Sequence, residues 1–433
     1  MTAEVGIMNC SGIALAADSA VTVGSTSGKI YTSADKLFQL AQDAPVGIMI
    51  YGNATFMNIP WETLIKIYRK KLGNRTFPLL KDYTDNFIRF IKSQKKMFPL
   101  LVQKSFASFI ARDIFSYIRD RLKKQLEKEL DSGKVLQEKN IKLIFRDLVR
   151  DQLIRTKKAP RYKDLPTSIA KIVRKKYRKE ITAARRNTFE KLPISQAIEH
   201  YLEEIVSELL TRRRLENGSW DSTGIVIAGF GEKEHYPLLV EFIMPGVIAG
   251  YPLYAQTSSV EIGTSVKGCQ ACVAPFAQKE MVHTFMRGID PDLKAIIEKS
   301  TSGLFNKATE VIIKQIESKY PNYTKKIRKK IGKNLEKLLS DLLKFWENTR
   351  VEKYSDPVME MVASLPKDEL GAMAESLVNL TKFKRRWSKQ QETVGGPIDA
   401  AVITKGDGFV WVKRKHYFPP ELNPRFLAHL NKK

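Results

Sequence analysis

The feature that most constrains this chain is its opening: an apolar run over Thr2–Asn9, a turn at Ser11-Gly12, and a second apolar run over Ile13–Ala17 that stops on Asp18-Ser19. Two short apolar runs around a Ser-Gly turn predict a β-hairpin. A third strand is predicted to start from Ser33-Ala34-Asp35-Lys36-Leu37-Phe38. A fourth, Val46–Tyr51, ends on Gly52-Asn53-Ala54. The residue after Met1 is small, the condition under which an aminopeptidase removes an initiator methionine. Thr2 would then carry a hydroxyl and a free α-amine on one residue. An α-amine titrates near ~7.7–8.0, so a useful fraction is neutral at cellular pH and able to take the hydroxyl proton.

Thr2, Asp18, Lys36 and Gly52, in that order and at that spacing, resemble the N-terminal half of proteasome β subunits and of the bacterial HslV peptidase, members of the N-terminal nucleophile hydrolases. The Lys comes two residues later than in the family, an insertion assigned to the Gly24–Gly28 region. The resemblance implies that Thr2 is the nucleophile and its amine the base, and that Lys36 lowers their pKa by its charge. It implies further that Asp18 holds Lys36 charged and that the Gly52 N–H lines an oxyanion hole. Ser19 and Asn53 are implied as supporting residues. A buried ammonium needs a carboxylate partner, and a donor aimed at a developing oxyanion is a large electrostatic contribution. Singly, each residue has an ordinary role: Asp18 a strand-end turn, Lys36 a solvated lysine, Gly52 a helix-entry turn. Two positions depart from the family. Its Gly-Ser-Gly run, whose Ser helps hold the amine, aligns at Pro275, which has neither hydroxyl nor N–H. Its Asp and Ser before a Gly-Gly are answered by Gln391 or Glu392 and by Thr393, ahead of Gly395-Gly396.

A proteasome-like subunit needs only about half of the 433 residues present, so the surplus reads as insertions. From about Thr76 to Arg214 the pattern is helical, broken at Phe98-Pro99, Ser132-Gly133, Ala159-Pro160, Leu165-Pro166 and Leu192-Pro193. Leu202, Ile205, Val206, Leu209 and Leu210 fall at helical spacing and predict core packing. Strands return at Thr223–Gly231 and Tyr236–Phe242, a helix follows from about Gln278 to Arg287, and residues 289 to about 390 are again helical. There the stripe Leu335, Leu338, Leu339, Leu342, Leu343 and Trp346 predicts packing on the first insertion or on another subunit. A closing hairpin spans Ile398–Thr404 and Phe409–Val412.

The net charge is +26, with clusters at Lys157-Lys158, Arg174-Lys175-Lys176, Arg178-Lys179, Arg185-Arg186 and Arg212-Arg213-Arg214. Such an excess attracts nucleic acid or an acidic partner, but a basic run on a helix is usually a solvated face, and no helix-turn-helix, zinc-finger or RNA-recognition signature appears. Three cysteines in a chain of this length argue against an oxidising compartment. Cys269-Gln270-Ala271-Cys272 lacks the second pair that a zinc site needs. The opening has no basic segment followed by an apolar block, and no apolar run approaches the ~20 residues of a membrane span. The expectation is therefore a cytoplasmic protein with no membrane, metal or organic cofactor.

The expected fold class is α+β, an αββα sandwich of the N-terminal nucleophile kind. Its core is assigned to residues 1–75, 215–290 and 360–420, a basic helical insertion to 76–214 and a second insertion to 291–359. The expected function is that of a threonine peptidase or amidohydrolase acting on peptide or protein substrates. By resemblance it forms a self-compartmentalised homo-oligomer, served by an unfolding ATPase of the AAA+ class. Thr2 directly behind Met1, with no propeptide, resembles the HslV arrangement. The alternative is a catalytically silent proteasome-like scaffold that binds nucleic acid or an acidic partner through its basic helices.

Overall fold

A computed structural model describes residues 2–23, 29–133, 135, 137–190, 192–213, 222–263, 270–319, 324–388, 394–416, 418–419 and 422–424. In chain order the strands are β1 (Glu4–Asn9), β2 (Gly12–Asp18), β3 (Val21–Val23), β4 (Lys29–Tyr31), β5 (Leu37–Gln39), β6 (Val46–Gly52), β7 (Thr55–Phe56) and β8 (Ile59–Pro60). Helices α1 (Trp61–Leu72), α2 (Leu80–Ser93), α3 (Leu100–Asp131), α4 (Glu138–Lys158), α5 (Ile169–Lys176), α6 (Arg178–Phe189) and α7 (Gln196–Leu209) follow. Then come β9 (Thr223–Gly229), β10 (Leu238–Ile248), β11 (Tyr251–Glu261), β12 (Ala271–Ala277), α8 (Glu280–Arg287), α9 (Pro291–Lys319), α10 (Thr324–Arg350), α11 (Asp356–Ser364), α12 (Lys367–Arg386), β13 (Ile398–Thr404) and β14 (Gly408–Lys413). The chain is thus α+β with antiparallel sheets.

By contact density it divides along a line of its own: residues 1–37, 235–237 and 261–433 form one compact unit, and 38–234 with 238–260 form the other. In the first unit the sheet order is β12-β1-β2-β13-β14. Side chains of a strand alternate between its faces. Ala3, Val5 and Ile7 accordingly join Ala14, Ala16, Ala400 and Val402 in an apolar layer covered by Val362 of α11 and by Leu370, Ala374, Leu377 and Val378 of α12. Asn9 fixes the hairpin end: its amide donates to the carbonyls of Val362 and Leu365, both at 2.8 Å, and its carbonyl accepts from the Ser11 N–H. Pro275 lies inside β12, opposite Val5, rather than in the loop entering a helix. β12 is an edge strand, where a missing N–H is tolerated. The turn into α8 comes at Gln278-Lys279. Gly288 ends α8 at a φ of 68°, its N–H donating to the Thr284 carbonyl. α10 packs on α9, its neighbour within the same helical block and neither of the two partners expected, and Leu338, Phe345 and Trp346 stay exposed.

In the second unit the sheet order is β11-β10-β9-β6-β5. Ile48, Ile50, Ile225, Ile227 and Phe242 meet Trp61, Leu64, Ile65 and Tyr68 of α1 and Tyr83, Phe87 and Ile91 of α2. Helices α3 to α7 build a separate core, in which Leu202, Ile205, Val206, Leu209 and Leu210 are buried as expected. One buried polar group ties that bundle to the sheet. The Tyr177 hydroxyl, between α5 and α6, donates to the Gln103 Oε1 at 3.0 Å and accepts the Ala249 N–H at 2.8 Å. Gln103 Oε1 also accepts the Gly250 N–H, while its amide donates to the Phe98 carbonyl. Ala249 and Gly250, at φ 51° and 85°, make the tight turn between β10 and β11. Tyr177→Phe leaves the Ala249 N–H short of its acceptor and is expected to cost about 1–3 kcal/mol, read from urea denaturation.

Candidate active site

Asp18 closes β2 at the point where three other segments arrive, and its carboxylate is almost wholly enclosed, at 1% exposure. Oδ1 accepts from Lys36 Nζ at 2.6 Å and from the Ala3 N–H at 3.1 Å. Oδ2 accepts from the Gly395 N–H at 2.9 Å and the Ala20 N–H at 3.3 Å. All four acceptor positions of the carboxylate are therefore occupied. The Ala3 N–H belongs to the peptide that follows Thr2, so one oxygen of Asp18 gathers both the Lys36 ammonium and the link next to the Thr2 side chain. Thr2 is buried, as is Lys36. Burial lowers the Lys36 pKa, while the negative charges of Asp18 and Glu4 act the other way.

Ser19 is a tie rather than a free hydroxyl. Its Oγ donates to the Pro397 carbonyl at 2.7 Å and its N–H to the Gly395 carbonyl. Gly396 has a φ of 76°, and a side chain there would meet Thr32 at 2.7 Å. Together these contacts fold the Gly395-Gly396 segment against Asp18. Glu392 and Thr393 lie outside the described residues, as do Met1, the Gly24–Gly28 insertion and Cys269.

Gly52 and Asn53 belong to the second unit. At Gly52 the φ is 82° and a Cβ would stand 2.4 Å from the Ser222 carbonyl oxygen, so the local backbone requires glycine by itself. Asn53 accepts the Thr223 hydroxyl on its carbonyl and the Thr55 N–H on its side chain.

Glu4 is the residue that the sequence reading passed over. It is fully buried, neither carboxyl oxygen has a hydrogen-bond partner among the described residues, and it stands on the face of β1 opposite the apolar layer. Burial pushes its pKa well above the usual carboxylate range; Lys36 opposes this and Asp18 adds to it. The signal was present: one acid inside an otherwise apolar strand, Ala3-Glu4-Val5-Gly6-Ile7-Met8. A second ion cluster also escaped notice. Lys415 Nζ binds Asp35 at 2.9 Å and Asp399, which is buried in β13.

Part of the basic charge of the first helical block has acidic partners on α7. Lys157 pairs with Glu204 at 2.7 Å, Arg174 with Glu203 at 2.9 Å, Arg212 with Glu208 at 2.6 Å, and Arg185 with Glu199. Among the described residues no group of three or more His, Cys, Asp and Glu is placed to hold a metal ion, and no helix is long and apolar enough to cross a membrane. Neither a family model nor a curated protein matches the chain.

Proposed function

We propose that the chain is a threonine amidohydrolase of the N-terminal nucleophile kind, with the αββα fold that accompanies that chemistry, and that it acts on peptide amides once the bond before Thr2 is cleaved. Thr2 Oγ attacks the amide carbonyl carbon while its proton passes to the Thr2 α-amine. The C–N bond breaks as that proton moves to the leaving nitrogen, and the acyl group remains as an ester on Thr2. Water, giving a proton to the same amine, then cleaves the ester to a carboxylic acid and restores the hydroxyl. Lys36 supplies positive charge beside the reacting oxygen, and Asp18 keeps that lysine ionised and in place.

The observation that carries this reading is the shared acceptor: Asp18 Oδ1 takes both Lys36 Nζ and the N–H next to Thr2, inside a closed environment. A solvated lysine or a mere strand-end turn has no need of that convergence. Self-assembly into an enclosing homo-oligomer forms part of the same proposal. Intact mass defines the N-terminus, and a β-lactone probe tests the nucleophile. A chain beginning at Thr2 should gain one acyl adduct on Thr2, and Thr2→Ala should gain none. No adduct on a chain shown to begin at Thr2 would leave the silent scaffold instead.

A further inference from the structure

A free amine at Thr2 must be held toward its own hydroxyl, and Pro275, paired with Val5 in β12, has neither a hydroxyl nor an N–H to offer it. Asp18 cannot hold the amine either, because its four acceptor positions are already filled by Lys36, Ala3, Ala20 and Gly395. Glu4 presents the reverse situation. Its carboxyl group is fully enclosed, neither oxygen has a partner among the described residues, and it stands two residues after Thr2 in the chain. Leaving a carboxyl buried without donors is costly, and native structures rarely carry that cost without a use for the group. Cleavage before Thr2 changes its nitrogen from an amide with one proton to an ammonium with three, which supplies donors at this place.

We propose that Glu4 is the positioning residue for the Thr2 α-amine, accepting a hydrogen bond from it and so aiming its lone pair at the Thr2 hydroxyl. The inference rests on the hydrolase reading given above. The charged groups acting on Glu4 are Lys36 and Asp18, with Lys415 acting at one remove through Lys36. Its strand neighbours, Ala17 and Ala277, carry no charge, and α11 and α12 cover the other face with apolar residues. A carboxylate at hydrogen-bond distance stabilises the ammonium, so the amine of the native protein loses its proton at a higher pH than it would without Glu4. Amine and carboxyl then titrate as a coupled pair.

The test is the rate of β-lactone labelling of Thr2 as a function of pH, on chains shown by intact mass to begin at Thr2. Glu4→Gln should label at least roughly tenfold more slowly at its plateau, with the rising limb displaced toward acid by about 1–3 pH units. Glu4→Asp keeps the charge and should return the limb to the native position. Where Glu4→Gln does not fold, Glu4→Met, of similar volume and apolar, carries the same expectation. Native protein that labels, beside a neutral variant whose profile superimposes on it, overturns the role of Glu4 and leaves the hydrolase reading intact. Native protein that does not label overturns the hydrolase reading first.

Discussion

Asp18→Ala is expected to destabilise the protein by about 3–5 kcal/mol, the penalty of stranding one partner of a buried ion pair. The native carboxylate neutralises a lysine that is itself buried, at 2.6 Å, and answers three backbone N–H groups from Ala3, Ala20 and Gly395. Removing it leaves an ammonium and those three donors without acceptors in an enclosed space. Lys36→Met is expected to be milder, because the remaining carboxylate keeps its three N–H donors, and hydrogen bonds to an ionised acceptor are the stronger kind. The double substitution should then be more stable than Asp18→Ala alone, since the stranded charge is gone. Urea denaturation of the four proteins gives the coupling energy as a double-mutant cycle. If Asp18→Ala melts within about 1 kcal/mol of the native protein, the usual range for an exposed pair, the enclosure of the pair is wrong and the site with it.

The ease with which parts of this molecule were read from sequence follows the range of the interactions involved. The Ser11-Gly12 hairpin and the closing hairpin at Lys405–Gly408 are set by neighbours a few residues apart, and they stand where turn chemistry and period placed them. The helix breaks at Pro99, Gly133 and Pro160 were legible for the same reason, because each removes a donor or frees the backbone locally. Length was less legible than position. β10 continues through Pro245 and Gly246 to Ile248, six residues beyond the expected end, since its pairing and packing override the local breakers. The bond from Gly395 to Asp18 joins residues 377 apart, and only the resemblance, not any pattern, suggested that those segments meet. Glu4 was missed for a different reason. Its charge was visible, but burial without a partner is a property of the surroundings, and no spacing rule reports it.

Glu4→Gln is expected to stabilise the protein at alkaline pH by about 1–3 kcal/mol, the cost of one buried unsatisfied polar group, when a residue still precedes Thr2. In that form the Thr2 nitrogen is an amide, and burial holds the folded-state pKa of Glu4 well above the normal value. The unfolded chain loses the Glu4 proton near ~4.3, whereas the folded chain keeps it to higher pH. Between those two points the native state binds more protons than the unfolded state, so stability declines as pH rises through the window. Below the unfolded pKa both states are protonated and the loss is absent. Glutamine has no proton to lose, so the variant and native curves should coincide near pH 4 and separate steadily toward pH 8 in urea denaturation. A gap that is constant with pH would mean that packing and not ionisation separates the two proteins. The same pair of proteins with Thr2 as the free N-terminus should show a narrower gap, because an ammonium beside Glu4 pulls its folded-state pKa back toward the unfolded one. Stability therefore reports on the same contact as the labelling profile, without depending on catalysis.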